Sequence, residues 1–199
     1  MSESKSKLGL YLPTDPRWVN LAEISLEEIL TDHAYCEQKA TTSCISLIQK
    51  YPNYKELVKE LAPVVTEEWG HFRLVIAELE KRKLKLGPQR KDEYVNALLK
   101  YQKEHATSST ILLEKLLTCA LIEARSCERF RLLSLNISEI ELKDFYHMFM
   151  VSEAGHYKMF IKLAKTYFDE DLVKKRWDEY LSFEAELMKT LKPRGDRMH

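Results

Sequence analysis

The sequence predicts an all-α protein, and three observations support this fold class. Leu, Glu, Lys and Ala are abundant, whereas only five glycines and six prolines occur among 199 residues. No segment shows the alternation of apolar and polar residues that is typical of a strand. Apolar residues at helical spacing indicate four long helices and at least two shorter ones. A chain of this length is expected to bury its core as one domain over residues 1–199.

The first long helix has clear signals at both ends. Residues 1–22 contain two prolines and are predicted to be irregular. The helix is predicted to begin after Ser25, because Glu28 stands three residues later and completes a capping box. It is predicted to end near Tyr51, which precedes a proline.

The later helices are separated by proline, glycine and capping signals. The second long helix is predicted over residues 54–84, and Pro63 is expected to kink or restart it. Ser138 is predicted to cap a further helix, with Glu141 completing its capping box. Residues 191–199 form a polar, basic tail. The remaining helices are predicted at residues 92–104, 108–135, 139–168 and 170–190.

The formal net charge of the chain is zero, so no overall electrostatic field favours binding to nucleic acid or to a membrane. Lys plus Arg and Asp plus Glu each number 31, so any polyanion site must be a local patch. No apolar run approaches the roughly 18 residues of a membrane helix, and the start lacks the apolar core of a signal peptide. We therefore expect a cytoplasmic protein with no membrane partner. The four cysteines lack C-x-x-C spacing and are expected to be free thiols: Cys36, Cys44, Cys119 and Cys127.

A weak internal repeat carries a pattern of glutamate and histidine. "EEWGH" at residues 67–71 and "SEAGH" at residues 152–156 both contain Glu-x-x-His. Each is preceded by another glutamate on an apolar helix face, at 31 and 30 residues. Each half of the chain thus has one helix with a single Glu and one with Glu-x-x-His. The six residues are Glu37, Glu68, His71, Glu123, Glu153 and His156.

These six residues predict a dinuclear metal site. Their neighbours three, four and seven positions away are mainly apolar, so the four carboxylates lie on core-facing stripes. Burying unpaired carboxylates is costly, and these faces offer no matching set of Lys or Arg. Two divalent ions would offset the charge. Oxygen-rich ligation with one imidazole per ion suits iron or manganese better than zinc.

Two glycines and one further glutamate stand close to the predicted ligands. A glycine inside a helix costs roughly 1 kcal/mol relative to alanine. We expect Gly70 and Gly155 to let a neighbouring element approach the back of each ligand helix, a local bulge being the other possibility. Glu128 competes with Glu123 as a ligand. It lies about 140° around the helix and breaks the repeat spacing, so we interpret it as a solvated or supporting residue.

The chain resembles a known family in this pattern and in two local strings. The ligand pattern resembles the ferritin-like di-iron carboxylate superfamily, whose bundles combine single glutamates with Glu-x-x-His. "CALIEARSCERF" at residues 119–130 and "EEWGHF" at residues 67–72 resemble the tRNA 2-methylthio-N6-isopentenyl-adenosine hydroxylase family. The resemblance covers nearly the whole chain. It implies a ferritin-like four-helix bundle with additional short helices, and a tRNA substrate.

The resemblance also implies the chemistry and the part of each ligand. Two iron ions would use O2 to hydroxylate the isopentenyl group of the modified adenosine. Because the sequence has no flavin or nucleotide fingerprint, electrons are expected from an external reductase or ferredoxin-type donor. In this resemblance, Glu68 and Glu153 would bridge the two irons. Glu37 and Glu123 would be terminal carboxylate ligands, and His71 and His156 would each bind one iron.

Three groups of basic residues are candidates for contact with tRNA phosphates. Arg125 and Arg129 flank Glu123, and ion pairing with Glu128 or other acids is the alternative interpretation. The tail contributes Lys189, Lys192, Arg194 and Arg197. A third cluster follows the second long helix, and a solvated helix end is its alternative interpretation. Its members are Lys81, Arg82, Lys83, Lys85, Arg90 and Lys91.

Two other functions share the ligand pattern. An iron-binding protein with ferroxidase activity would require assembly into a large cage. A quinone-precursor hydroxylase would require an amphipathic face with exposed aromatic residues for membrane docking, and the sequence has no clear one. Both remain alternatives at this level.

Overall fold

A computed structural model describes residues 9–199, which form seven α-helices and no strand. The predicted all-α class is confirmed. The four long helices and the last helix lie within a few residues of their predicted positions. A short helix, which was not predicted, starts inside the segment expected to be irregular. The elements are α1 Trp18–Ile24, α2 Leu26–Lys50, α3 Lys55–Lys81, α4 Glu93–His105, α5 Ile111–Asn136, α6 Ile140–Tyr167 and α7 Glu170–Thr190.

The chain divides into two compact units. One unit contains residues 20–91 and 194–198, and is built on α2 and α3. The other contains the residues up to 19, then 92–193 and 199, and is built on α5 and α6 with α4 and α7. The single domain proposed from the sequence stays a prediction.

The α2–α3 unit is a helical hairpin with an apolar seam. The segment after α3 folds back onto α2, where the Gly87 N–H donates to Thr31 Oγ1 at 3.2 Å and Tyr35 Oη donates to the Gly87 carbonyl at 3.0 Å. Pro63 lies inside α3 and is exposed, and the helix continues through it, so the expected restart is wrong and the expected kink stays a prediction. Packing of the seam maintains the helix across the missing N–H. The seam includes Leu30, Leu47, Leu57, Leu61, Val75 and Leu79.

The α5–α6 unit has the more deeply buried core. Almost every residue of α5 between Leu112 and Phe130 is buried, including several charged ones. Phe130 stacks on Tyr146 of α6, with ring centroids 5.8 Å apart. His199 belongs to this unit and lies parallel to the Tyr94 ring, 5.1 Å between centroids. Polar groups on α5 therefore depend on partners within the protein rather than on water.

The capping box predicted at Ser25 is not formed. Ser25 precedes α2, but its side chain makes no capping hydrogen bond. The residue that precedes α6 is Glu139, whose side chain makes no such bond, and the box predicted for Ser138 and Glu141 stays a prediction. Side-chain caps occur instead at α4 and α7, where Asp92 and Asp169 accept backbone N–H groups. These aspartates follow loops that leave the first helical N–H groups accessible.

The tail is folded onto α2 rather than projecting as a basic arm. The Met198 N–H donates to Asp32 Oδ2 at 2.8 Å, and Arg197 lies 3.6 Å from the same carboxylate. A Cβ at Gly195 would come within 2.0 Å of the Leu21 carbonyl oxygen, so only glycine allows this approach. Arg194 pairs with Asp196. Lys189 pairs with Glu186, so three of the tail's four basic residues already have internal carboxylate partners.

Candidate metal centre

The first cluster of predicted ligands lies on α2 and α3. Glu37, Glu68 and His71 are buried, with exposed fractions of 4%, 1% and 6%. Their ligand atoms lie within 4.8 Å of one another. His71 Nδ1 is 3.4 Å from Glu37 Oε2 and 3.3 Å from Glu68 Oε2. The i, i+3 spacing of Glu68 and His71 places both side chains on one helix face, one turn apart.

The electrostatics of this cluster indicate a site for a cation. Burial raises the pKa of Glu37 well above its usual range, and the nearby Glu68 carboxylate raises it further. Burial lowers the pKa of His71, but its contacts with Glu37 and Glu68 outweigh burial and raise that pKa to about 10. Two buried carboxylates thus converge on one imidazole that attracts a proton. A divalent ion fits this donor set because it supplies positive charge to both carboxylates at once.

The second cluster repeats the first on α5 and α6. Glu123, Glu153 and His156 are buried, with exposed fractions of 6%, 3% and 4%. Their ligand atoms also lie within 4.8 Å of one another. His156 Nδ1 is 3.9 Å from Glu153 Oε1. Each unit therefore contains one buried trio of two carboxylates and one imidazole, as the repeat predicts.

Comparison with known proteins assigns the chain to a family. A profile described as tRNA-(MS2IO6A)-hydroxylase (MiaE) matches residues 3–199. The chain belongs to the MiaE family. The resemblance drawn from the ligand pattern and the two local strings is thereby confirmed.

Two named relatives agree with this assignment. A protein of Pseudomonas putida is 37% identical over 158 residues, which cover 79% of this chain and 76% of the relative. A protein of Salmonella typhimurium is 27% identical over 82% of this chain and 77% of the relative. Both carry the name tRNA 2-(methylsulfanyl)-N(6)-isopentenyladenosine(37) hydroxylase.

A solved structure supports the fold of this MiaE family member. It is Protein 43 with aldehyde deformylating oxygenase activity from Synechococcus, 29% identical in sequence. The similarity has a TM-score of 0.88 and covers 94% of this chain and 93% of that chain. The predicted ferritin-like fold is confirmed. Within the described residues, none of the helices combines the length and hydropathy needed to cross a membrane.

The structure corrects the interpretation of Gly70 and Gly155. We expected a neighbouring element to approach each glycine closely. A Cβ built at either position meets no described atom within 4 Å outside its own helix backbone and chain neighbours. Gly155 is exposed and Gly70 is half-buried. Both belong to continuous helices, so neither close packing nor a break in the helix accounts for them.

Replacing Gly155 with alanine is therefore expected to stabilise the protein by about 0.5–1 kcal/mol, because alanine restricts the unfolded chain and no described neighbour has to move. Urea denaturation of the metal-free variant measures this change. Gly195→Ala is the matched control and is expected to destabilise, since its Cβ would collide with the Leu21 backbone. A loss of stability in Gly155→Ala would contradict the prediction.

Arg125 and Arg129 are not available for tRNA contact, in contrast to the sequence-based expectation. Arg125 is fully buried and Arg129 is 4% exposed. Arg125 donates from Nε to Glu184 at 2.7 Å and is paired with Glu128. Arg129 lies over the Trp18 ring at 4.7 Å. The alternative interpretation, ion pairing with Glu128 and other acids, describes Arg125 correctly.

Glu128 belongs to this buried network rather than to the ligand trio. Its Oε2 accepts the Thr14 backbone N–H at 3.0 Å and the Thr14 hydroxyl at 2.7 Å. Arg125 completes the arrangement with a bond to Thr14 Oγ1 at 2.9 Å. The network joins the segment before α1 to α5. Glu128 is thus a structural carboxylate, and it is not solvated.

The basic cluster after α3 is only partly accessible. Arg82 Nε donates to Glu78 at 2.6 Å, so that its charge is offset internally. Arg90 pairs with Asp196 at 3.1 Å and donates to the Glu28 carbonyl at 2.7 Å. The exposed members are Lys81, Lys83, Lys85 and Lys91. Within this cluster, the residues that remain exposed candidates for tRNA contact are therefore lysines.

His33 and Glu184 were not assigned a function from the sequence. His33 is fully buried, and its Nε2 lies 2.8 Å from Glu37 Oε1. The i, i+4 spacing was visible, but spacing alone does not distinguish a supporting imidazole from a packed one. Glu184 is also fully buried and pairs with Arg125 across 59 residues of sequence. No local pattern signals a partner at that separation.

Proposed function

We propose that this protein is a non-haem di-iron monooxygenase that hydroxylates the isopentenyl group of 2-methylthio-N6-isopentenyl-adenosine in tRNA. The observation that carries the proposal is the duplicated, buried trio of two carboxylates and one imidazole in a chain of the MiaE family. The names of the two relatives support the same substrate. As tRNA is the substrate, we place the reaction in the cytoplasm.

The proposed ligands keep the parts that the sequence resemblance implies. Glu68 and Glu153 would serve as carboxylates shared by the two ions, and Glu37 and Glu123 as terminal ligands. His71 and His156 would each hold one ion. Bound iron would supply the activation of O2 and the oxidation of an unactivated C–H bond, with electrons from an external donor. The donor set supports this choice of metal, because oxygen-rich ligation with one imidazole per ion suits iron.

The protein's own contribution is to bury and orient the ligands. All six residues are at most 6% exposed, so bulk water is largely excluded from them. Long helices carry each ligand, which restricts its movement relative to its neighbours. The apolar residues beside Glu68 and His71 on α3, Val64 and Val75, are also buried. Such a dry environment favours the reaction of an apolar isopentenyl arm over release of a reactive oxidant to water.

The decisive experiment measures hydroxylation directly. Metal-free protein is loaded with Fe(II) without oxygen, then mixed with reductant, O2 and tRNA that carries the unhydroxylated nucleoside. Mass spectrometry of the digested tRNA is expected to show a nucleoside heavier by one oxygen atom, which comes from labelled O2. Iron oxidation without this product would favour the ferroxidase alternative. Hydroxylation of a quinone precursor but not of tRNA would favour the other alternative.

We further propose that the exposed lysines after α3 hold tRNA phosphates. A folded tRNA cannot enter the protein, so only the isopentenyl arm reaches buried ligands and the phosphates are bound outside. Replacing Lys81, Lys83 and Lys85 together with glutamine is expected to weaken tRNA binding by tenfold or more at moderate salt. It is also expected to flatten the dependence of binding on salt, because fewer counterions are released. Filter binding across a salt series measures both effects.

The α2–α3 hairpin offers a matched control at its opposite end. Lys50, Lys55 and Lys59 are also exposed, and they flank the loop that joins the two helices. Replacing these three with glutamine removes the same charge and is expected to leave tRNA binding nearly unchanged. Equal weakening by both triple variants would show a non-specific charge effect. Unchanged binding in the Lys81, Lys83 and Lys85 variant would exclude this surface, and iron content serves as the check on folding.

A further inference from the structure

One position distinguishes the two ligand trios. The residue one helical turn before the first glutamate is His33 on α2 and Cys119 on α5. His33 Nε2 lies 2.8 Å from Glu37 Oε1, and both side chains are buried. The repeat of ligands is therefore not accompanied by a repeat of residue type at this position.

The two oxygens of Glu37 have different neighbours within the α2–α3 unit. Oε1 faces His33 at 2.8 Å, whereas Oε2 faces His71 Nδ1 at 3.4 Å. Oε2 is thus the oxygen that lies beside the imidazole of this trio. A side chain that occupies one carboxylate oxygen restricts rotation of the carboxylate and leaves the other oxygen for a metal.

We propose that His33 is a positioning residue, which holds Oε1 of Glu37 so that Oε2 binds metal, and that it makes the α2–α3 trio the tighter of the two metal sites. The inference rests on the proposed function, because it takes Glu37 as a ligand. It goes beyond that function by making the two ions inequivalent.

The turn of α2 that carries His33 is itself held in place. Asp32, the preceding residue, is 3% exposed. Its carboxylate accepts the Met198 backbone N–H at 2.8 Å and lies 3.6 Å from Arg197. These contacts anchor the helix turn from which the imidazole reaches Glu37. A residue that contacts a metal-binding side chain can orient that side chain only if it is itself held rigidly.

Cys119 does not provide equivalent support to Glu123. Cys119 is a free, half-buried cysteine. Its thiol is a weak hydrogen-bond donor compared with the imidazole at the equivalent position on α2. Imidazole support from this position is therefore specific to Glu37, and Cys119 offers the matched position for a control.

Anaerobic titration of the metal-free protein with Co(II), followed by visible absorption, tests the inference. The wild type is expected to bind two ions in two distinguishable steps. His33→Leu is expected to weaken the first step by about 10–100-fold, so that the two steps merge. His33→Gln retains an N–H donor and is expected to recover most of the affinity. Cys119→Ala is expected to titrate like the wild type.

The outcomes separate this inference from the proposed function. Binding of fewer than two ions by the wild type would contradict the dinuclear site itself. Two wild-type ions with an unchanged first step in His33→Leu would overturn the positioning role alone. Thermal unfolding of each metal-free variant supplies the folding check. Equal weakening of the first binding step by His33→Leu and His33→Gln would also overturn the positioning role, because general packing rather than the imidazole contact would then be responsible.

Discussion

Replacing Glu68 with alanine is expected to abolish stoichiometric iron binding and tRNA hydroxylation together. Glu68 is 1% exposed, and its carboxylate lies 3.3 Å from His71 Nδ1. In the proposed site Glu68 would be shared by both ions, so its loss would remove one ligand from each. Residues that only support a ligand change metal affinity about 10–100-fold, and a bridging ligand is expected to exceed that range. Iron analysis after anaerobic loading and nucleoside mass spectrometry measure the two effects.

The metal-free variant is expected to remain folded, which distinguishes this result from general damage. Removing a buried carboxylate also removes its desolvation cost. Glu56→Ala on the same helix is the control, because Glu56 is exposed and takes part only in a surface pair with Lys59 at 3.6 Å. Full iron content in Glu68→Ala would refute the bridging assignment.

Glu123 and Glu128 are expected to give opposite results when each is replaced with alanine. Glu128→Ala should lower the free energy of unfolding by about 3 kcal/mol. It removes one of the two carboxylates paired with fully buried Arg125, and it leaves the Thr14 N–H without its acceptor. Its iron content should stay near that of the wild type at temperatures where it is folded.

Glu123→Ala should show the reverse pattern. The metal-free protein should unfold within about 1 kcal/mol of the wild type, because removing a buried carboxylate also removes its desolvation cost. Iron content should fall sharply. Urea denaturation of the metal-free proteins and iron analysis of the loaded proteins provide the comparison. Equal iron content in the two variants would show that the wrong glutamate was chosen as ligand.

The sequence by itself determined the helices and the ligand trios. Helical periodicity depends on residues three and four apart, so the stripes that carry Glu68 with His71 and Glu153 with His156 were readable directly. The cost of burying carboxylates then indicated a metal site. The 31- and 30-residue spacings identified Glu37 and Glu123. Capping was predicted less well, because a capping side chain also depends on how the preceding loop approaches the helix.

The tertiary structure decided which charged residues are internal. Arg125 meets Thr14 and Glu184 across 111 and 59 residues, and Arg197 meets Asp32 across most of the chain. Local sequence carries no signal for such partners. Arginines that the sequence made candidates for tRNA contact are therefore structural, and the accessible charge after α3 is reduced to lysines. The physical reason is that burial depends on how the whole chain packs. A guanidinium exposed to water can bind a phosphate, whereas the same group packed beside a buried carboxylate forms an internal ion pair.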